Sequence, residues 1–227
     1  MQKNKACGHE EKRDRRRQEN RRRQQQEILD AALKLFAERG YHHVSINDIA
    51  REAAYAVGTI YKFFPGKEEL YRAIIHDLGE KFTRAATVGL EGEGDAKTII
   101  ADYLAATSRV FQENSTAIRL YFAETQGASF NFRAGLDRET RAMHEEIQTA
   151  LARVFARGIE NGEFIPLDPG DLARALDSMA LSFHFAWLDD PVAHPISEGL
   201  ETLKRIFFFG ISRATGKPQS HPEQDLV

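Results

Sequence analysis

Apolar residues recur at spacings of three and four along almost the whole chain, and no stretch sustains an alternation of apolar and polar residues. The first pattern lines one face of a helix; the second would line one face of a strand. A chain with only the first pattern builds its core by packing helix against helix. Its punctuation agrees, since 7 prolines and 16 glycines among 227 residues leave few breaks. The fold class expected is all-α, with about nine helices.

The first helix is expected from about Arg21 to Arg39, with Ile28, Ala31, Ala32, Leu35 and Phe36 on one face. Gly40 stands where a left-handed residue ends such a helix. Ser45, with Asp48 three residues on, has the spacing of a capping box for a second helix. Ile46, Ile49, Ala50 and Ala53 give that helix its buried side. A third is expected over Val57–Phe63, ended by Pro65-Gly66. Longer amphipathic helices follow: Lys67 to Leu90, Asp95 to Glu113, Ser115 to Gln126, Leu136 to Asn161, one that starts after Pro169-Gly170 and ends at Asp189-Asp190-Pro191, and Pro195 to Ala214. The segment from Gly127 to Arg133 is expected to be a loop. Residues 1–20 read as a disordered basic arm, because they carry almost no apolar side chain to offset the entropy of ordering. Residues 216–227 read as a loose tail.

Charge divides the chain. Residues 1–72 hold 16 Lys/Arg against 11 Asp/Glu; residues 73–227 hold 15 against 23. A basic front on an acidic remainder points to a polyanionic partner for the front, although a solvated charged tail has the same composition. Two short helices followed by a tight turn and a third form the helix-turn-helix plan, in which the last helix enters the major groove.

The match runs well beyond that plan. Ile28-Leu29, Ala31-Ala32, Leu35-Phe36 and Gly40-Tyr41 are followed by Ser45-Ile46-Asn47-Asp48-Ile49-Ala50-Arg51-Glu52-Ala53. Then come Gly58-Thr59-Ile60-Tyr61-Lys62-Phe63-Phe64 and Lys67-Glu68-Glu69-Leu70. Over about residues 21–76 this resembles the TetR family of bacterial transcription regulators. The resemblance implies an N-terminal helix-turn-helix DNA-binding domain, here 21–66. It also implies a larger C-terminal helical ligand-binding and dimerisation domain, here 67–215.

By that resemblance, DNA contacts are expected from Ser45, Tyr55, Val57, Gly58, Thr59, Tyr61, Lys62, Phe63 and Lys67. Ser45 offers a hydroxyl and a helix N-terminus to a phosphate. Gly58 permits close approach, and Thr59 places a methyl and a hydroxyl near the groove. Tyr61 and Lys67 stand at the family's backbone-contacting positions, on sites read as exposed. Val57 and Lys62 are the candidates for base readout, and Phe63 for a thymine methyl. One departure stands out: where the family has Gly-Val-Ser between its second and third helices, this chain has Ala54-Tyr55-Ala56. Ala54 lacks glycine's ease at positive φ, and Ala56 has no hydroxyl with which to cap the third helix. Tyr55 either fills the apolar slot of the turn or turns its hydroxyl toward the DNA backbone.

The resemblance further implies a homodimer through the last two long helices, a near-palindromic operator on double-stranded DNA, and a small-molecule effector, largely apolar. Leu172, Leu176, Met179, Phe183, Leu200, Leu203, Phe207 and Ile211 recur at helical spacing and fit either a dimer surface or the monomer's own core. Pocket-lining candidates are Tyr103, Phe111, Phe122, Met143, Phe183 and Trp187, with Arg119, Tyr121, His144 and His184 as polar anchors. The expected function is a repressor released by its effector. An activator or a metal-responsive regulator of the same fold, and a nonspecific DNA-binding protein, are the alternatives.

Enzymatic motifs are missing. His144-Glu145-Glu146 starts like a zinc-peptidase helix, but Gln148 stands where that motif needs its second histidine. No Gly-x-Ser-x-Gly elbow or phosphate-cradling glycine loop occurs. No enzyme, cofactor or metal is expected. The single cysteine, Cys7, allows no disulfide within the chain. No apolar leader and no run of about 18 apolar residues is present, so the expectation is a cytoplasmic protein away from the membrane.

Overall fold

In a computed structural model the described residues are 3–125 and 132–212. They form nine α-helices: α1 (Lys3–Arg39), α2 (Ile46–Glu52), α3 (Val57–Phe63), α4 (Lys67–Leu90), α5 (Ala96–Glu113), α6 (Ser115–Glu124), α7 (Arg138–Glu160), α8 (Pro169–Asp189) and α9 (Ile196–Ile211). Short 3-10 turns occupy Tyr41–His43 and Phe132–Gly135. An isolated bridge between Phe164 and Ser212 is the sole extended pairing among the described residues. The expected tail at 216–227 and most of the loop expected after Gly127 lie outside those residues.

The largest difference from expectation is the start of α1, at Lys3 instead of near Arg21. The segment expected to be a disordered arm continues the helix. It does so without an apolar face: every side chain from 13 to 23 is exposed. Ion pairs one turn apart take the place of packing there, Arg15 with Glu19 at 3.0 Å and Arg23 with Glu27 at 3.7 Å. Such pairs contribute roughly 0.2–0.5 kcal/mol each.

The described chain parts into two compact units, residues 1–85 with 109–145, and residues 86–108 with 146–227. The boundaries of these units fall inside α4, α5 and α7. The first unit extends past the helix-turn-helix because α4 and α6 complete its core: Leu70, Ile74, Ile75, Ala117, Leu120 and Tyr121 pack with Ile28, Leu35, Phe36, Ile49 and Ile60. Gly40 ends α1 at φ +81° and ψ 144°. That is a glycine-only region, beyond the left-handed helical one expected for it.

The core of the second unit gathers Ile99, Ile100, Leu104, Leu151, Phe155, Phe164, Leu176, Leu203 and Phe207. Gly89 lets α4 approach α5 there, since a Cβ on it would lie 2.6 Å from the Cα of Tyr103. Leu172, Leu176, Leu203, Phe207 and Ile211 are all buried in this core. Those five of the stripe serve the monomer core, while Met179, Phe183 and Leu200 pack against it half-buried. The apolar surface that α9 leaves open is different: Ile206 is 56% exposed and Phe209 is 91% exposed.

Candidate nucleic-acid interface

Helix α2 is the brace, and its start is fixed by a complete capping box. The Asp48 N–H donates to Ser45 Oγ at 3.2 Å, and the Ser45 N–H donates to Asp48 Oδ2 at 3.1 Å. The Ser45 hydroxyl also donates a hydrogen bond to Asp48 Oδ2. These two donations by Ser45 hold the Asp48 carboxyl below the usual carboxylate range. Ser45 is exposed, but its hydroxyl is already used in both directions and a carboxylate stands at the helix N-terminus. The capping role expected of Ser45 is present in full.

The turn after α2 holds the one non-glycine residue with positive φ among the described residues, Ala54 at φ 57°. The left-handed conformation costs an L-residue about 1–2 kcal/mol. The strain expected from the replaced glycine is present. Ala54→Gly is expected to stabilise the chain by about 1 kcal/mol and raise its unfolding midpoint by roughly 2–4 °C. A midpoint that stays put or falls in differential scanning calorimetry would show that the turn is not strained.

Tyr55 takes neither expected course outright. Its ring packs partly against the core of the first unit, and its hydroxyl donates to the Glu27 carboxylate on α1. It ties the turn to α1 and is not aimed outward. Ala56 makes no side-chain cap for α3, as its chemistry dictates.

Helix α3 presents the surface. Ile60 is buried and anchors it, while Gly58, Tyr61 and Lys62 are exposed. Tyr61 is 54% exposed, unusual for so large a ring. A Cβ built on Gly58 would meet nothing within 4 Å. The glycine is thus not required by the protein's own packing, which leaves space for something outside it. Val57, Thr59 and Phe63 are half-buried. Phe63 packs partly on the core, and the Arg21 guanidinium lies 5.7 Å from its ring centre. No local pattern in the sequence announces the contact of Arg21 with Phe63, because the two lie far apart along the chain.

Lys67 also differs from expectation. It was read as exposed; its ammonium donates to the Tyr41 carbonyl at 2.8 Å and to the His42 carbonyl at 3.4 Å. It lies 4.4 Å from the centre of the Tyr41 ring. The side chain clasps the link between α1 and α2 to the start of α4.

Beside the C-terminal end of α3 lies an open cleft of about 790 Å³, lined in part by Arg22, Leu29, Phe63, Arg72, His76 and Glu139. Its charged walls differ from those of an apolar effector pocket, and none of the expected pocket residues lines it. Of those residues, Phe111, Arg119, Phe122, Met143 and His144 fall in the first unit, and Tyr103, Phe183 and Trp187 in the second. Tyr103 and Phe111 are buried. Arg119 is exposed, because Ala117, Ile118, Leu120 and Tyr121 take the buried sides of α6; that placement does not suit a pocket anchor. His144 is brought down to about 4 by burial and, secondarily, by Arg133.

In the second unit, Ser108 Oγ and His184 Nε2 are 2.7 Å apart and both residues are buried. Burial brings the His184 imidazole down to about 4. The unfolded ring titrates near ~6.5, so on acidification the unfolded chain takes up the proton first. The stability that His184 contributes as a neutral ring is whole above pH ~6.5 and falls as the pH drops toward ~4. The slope is on the order of 1.4 kcal/mol per pH unit. Urea unfolding of His184→Gln between pH 7 and 4.5 should show a shallower pH dependence than the parent. An identical slope would mean the ring is not held neutral.

A capped brace, a sharp turn and an outward-facing third helix define a helix-turn-helix DNA-binding protein. Comparison with known proteins agrees. Residues 28–74 match the model of the bacterial regulatory proteins of the tetR family. The HTH-type transcriptional repressor KstR of Mycobacterium tuberculosis is 28% identical over 173 residues, 71% of this chain and 69% of that protein. The fatty acid metabolism regulator protein of Bacillus subtilis is 32% identical over 75 residues, 33% of this chain and 39% of that one. In structure, the fatty acid degradation regulator FadR of Bacillus halodurans superposes with a TM-score of 0.69 at 18% identity, covering 82% of this chain and 95% of its own. Residues 28–74 thus carry the DNA-binding domain of the TetR family, and the chain around them is similar to TetR-type regulators. The protein is a DNA-binding transcription regulator and not an enzyme. Among the described residues, no helix is long and apolar enough to cross a membrane.

Proposed function

We propose that the chain is a repressor that binds a near-palindromic operator as a homodimer and leaves it when a small, largely apolar molecule binds. Residues 21–66 read the DNA; residues 67–215 bind the effector and pair the two copies. The observation that carries the DNA role is the open face of α3. Gly58 leaves room for the groove, exposed Tyr61 and Lys62 flank it, and Thr59 and Val57 stand on the same short helix. Phosphate contacts set the register and base contacts the sequence; Tyr61 serves the first and Lys62 the second. Ser45, Tyr55, Phe63 and Lys67 act mainly by holding α2, the turn and α3 in place.

Pairing uses α8 and α9; on α9 the exposed Ile206 and Phe209 lie outside the core of the second unit. Two recognition helices about one DNA turn apart, roughly 34–36 Å, then meet two half-sites. An effector that favours a different spacing shifts the population away from the operator-bound form. Several relatives are named for fatty acid metabolism, which makes a fatty acyl chain the first effector class to try.

The test is fluorescence anisotropy with duplex from the region upstream of the chain's own gene, against scrambled competitor, with and without palmitate. Preference for the native duplex, lost on adding palmitate, is the expected result. Equal affinity for both duplexes would make the protein a nonspecific binder. Preference that palmitate leaves untouched would remove the fatty acyl effector.

A further inference from the structure

The positive charge of the DNA-binding front is not in its helix-turn-helix. Residues 24–72, which contain α2, α3 and their turn, hold six Lys/Arg against seven Asp/Glu. Most of those cations are engaged at home. Lys34 pairs with Glu52 at 2.5 Å, Arg51 with Asp48 at 3.7 Å, and Arg72 with Glu68 at 2.6 Å and Glu69 at 3.1 Å. Lys67 is spent on two backbone carbonyls. A headpiece with a net charge of −1 has almost no long-range attraction for a duplex that carries one negative charge per ~1.7 Å.

The missing charge lies on the extension of α1. Residues 13–23 hold seven arginines against Asp14 and Glu19. Every one of those side chains is exposed. The segment is helical and continuous with the brace of the headpiece. Arg21 at its base covers the Phe63 ring at the end of α3, so the arginine rod begins beside the recognition helix. From Arg23 to Arg13 it spans about 15 Å, at ~1.5 Å per residue. Its arginines are distributed around the helix instead of on one face, which suits a curved backbone better than a flat surface. Mutual repulsion among them opposes the helix, and a neighbouring polyanion relieves it.

We propose that residues 13–23 of α1 are a helical cationic arm that binds the phosphate backbone of duplex DNA flanking the operator. The arm supplies most of the protein's electrostatic attraction to DNA. Specificity stays with α3; the arm adds affinity and speed without reading bases. This rests on the DNA-binding reading above.

The experiment compares the full chain with its Arg13→Gln/Arg15→Gln/Arg16→Gln/Arg17→Gln variant, leaving Arg21 on Phe63. Affinity is measured from ~75 to ~300 mM salt on two duplexes, the bare operator and the operator with about 10 base pairs of flank on each side. On the flanked duplex, the variant should lose about two to four units of the slope of log K against log salt, at ~0.9 per phosphate released. Its affinity near 150 mM salt should fall roughly 10- to 100-fold. On the bare operator the two proteins should differ little. Unfolding midpoints should agree closely, since the four exposed side chains belong to no core and the pairs given up, Arg15 with Glu19 and Arg17 with Asp14, contribute only roughly 0.2–0.5 kcal/mol each.

Equal slopes on the flanked duplex would overturn the arm, while the reader stands as long as the operator is preferred over scrambled sequence. Loss of that preference in the parent chain would instead overturn the reader. A variant that loses binding to anionic phosphatidylserine vesicles but keeps its DNA slope would give the arm to a membrane and overturn the proposal as well.

Discussion

Gly58→Leu is expected to abolish operator binding while leaving the protein as stable as before, or more so. Most destructive substitutions do both kinds of damage; this one separates them. A Cβ at position 58 meets nothing within 4 Å, and the position is exposed, so a larger side chain has solvent to extend into. Replacing glycine inside a helix contributes up to ~0.8 kcal/mol in helix propensity, which raises the unfolding midpoint by a degree or so at about 2–4 °C per kcal/mol. In the complex the same side chain occupies the space the groove needs. Lifting α3 away forfeits several base contacts, each worth ~1–3 kcal/mol, so operator affinity falls by roughly 100-fold or more. Circular dichroism melting and anisotropy titration read the two quantities separately. Unchanged affinity would mean that α3 is not the helix in the groove.

Phe209→Glu is expected to turn the dimer into a monomer without unfolding it. The ring is 91% exposed and takes no part in the core of its unit, so a carboxylate there costs the isolated chain almost nothing. In a dimer it would be buried without a partner, at a cost of several kcal/mol. A single headpiece then binds one half-site. The advantage of linked binding, on the order of 10²–10⁴ in affinity, is lost. Analytical ultracentrifugation should report half the parent mass, and the titration a correspondingly weaker operator. Phe207→Glu is the contrast, because Phe207 is 6% exposed and its loss should unfold the second unit. If Phe209→Glu remained a dimer, the pairing surface would lie elsewhere.

Short-range chemistry was legible in the sequence. The capping box at Ser45, the strained turn at Ala54 and the bounds of α3 and α4 all follow from residues within a few positions of one another. The helical plan followed from periodicity for the same reason. Contacts between distant positions were not legible. Lys67 was read as exposed because its partners, the carbonyls of Tyr41 and His42, lie 26 and 25 residues away. Tyr55 had two courses open because Glu27 is 28 residues away. In α9 the run Ile206-Phe207-Phe208-Phe209-Gly210-Ile211 is apolar on every side. Spacing could not tell which face the core would take; packing with Leu172 and Leu176 selects Leu203, Phe207 and Ile211. The α1 extension failed for the opposite reason. Composition alone argued for disorder, and the turn-to-turn pairs that favour a helix are individually weak.

The clasp made by Lys67 has a chemical corollary. An amine attacks an acyl donor only after freeing its lone pair, and Lys67 must first let go of two carbonyls and an aromatic face. Lys62, five residues earlier, is exposed to solvent. Acylating reagents should therefore mark the two lysines at very different rates. A modifying enzyme that reached Lys62 would cancel its charge and leave the architecture whole. The same modification at Lys67 would need a headpiece that had already begun to open.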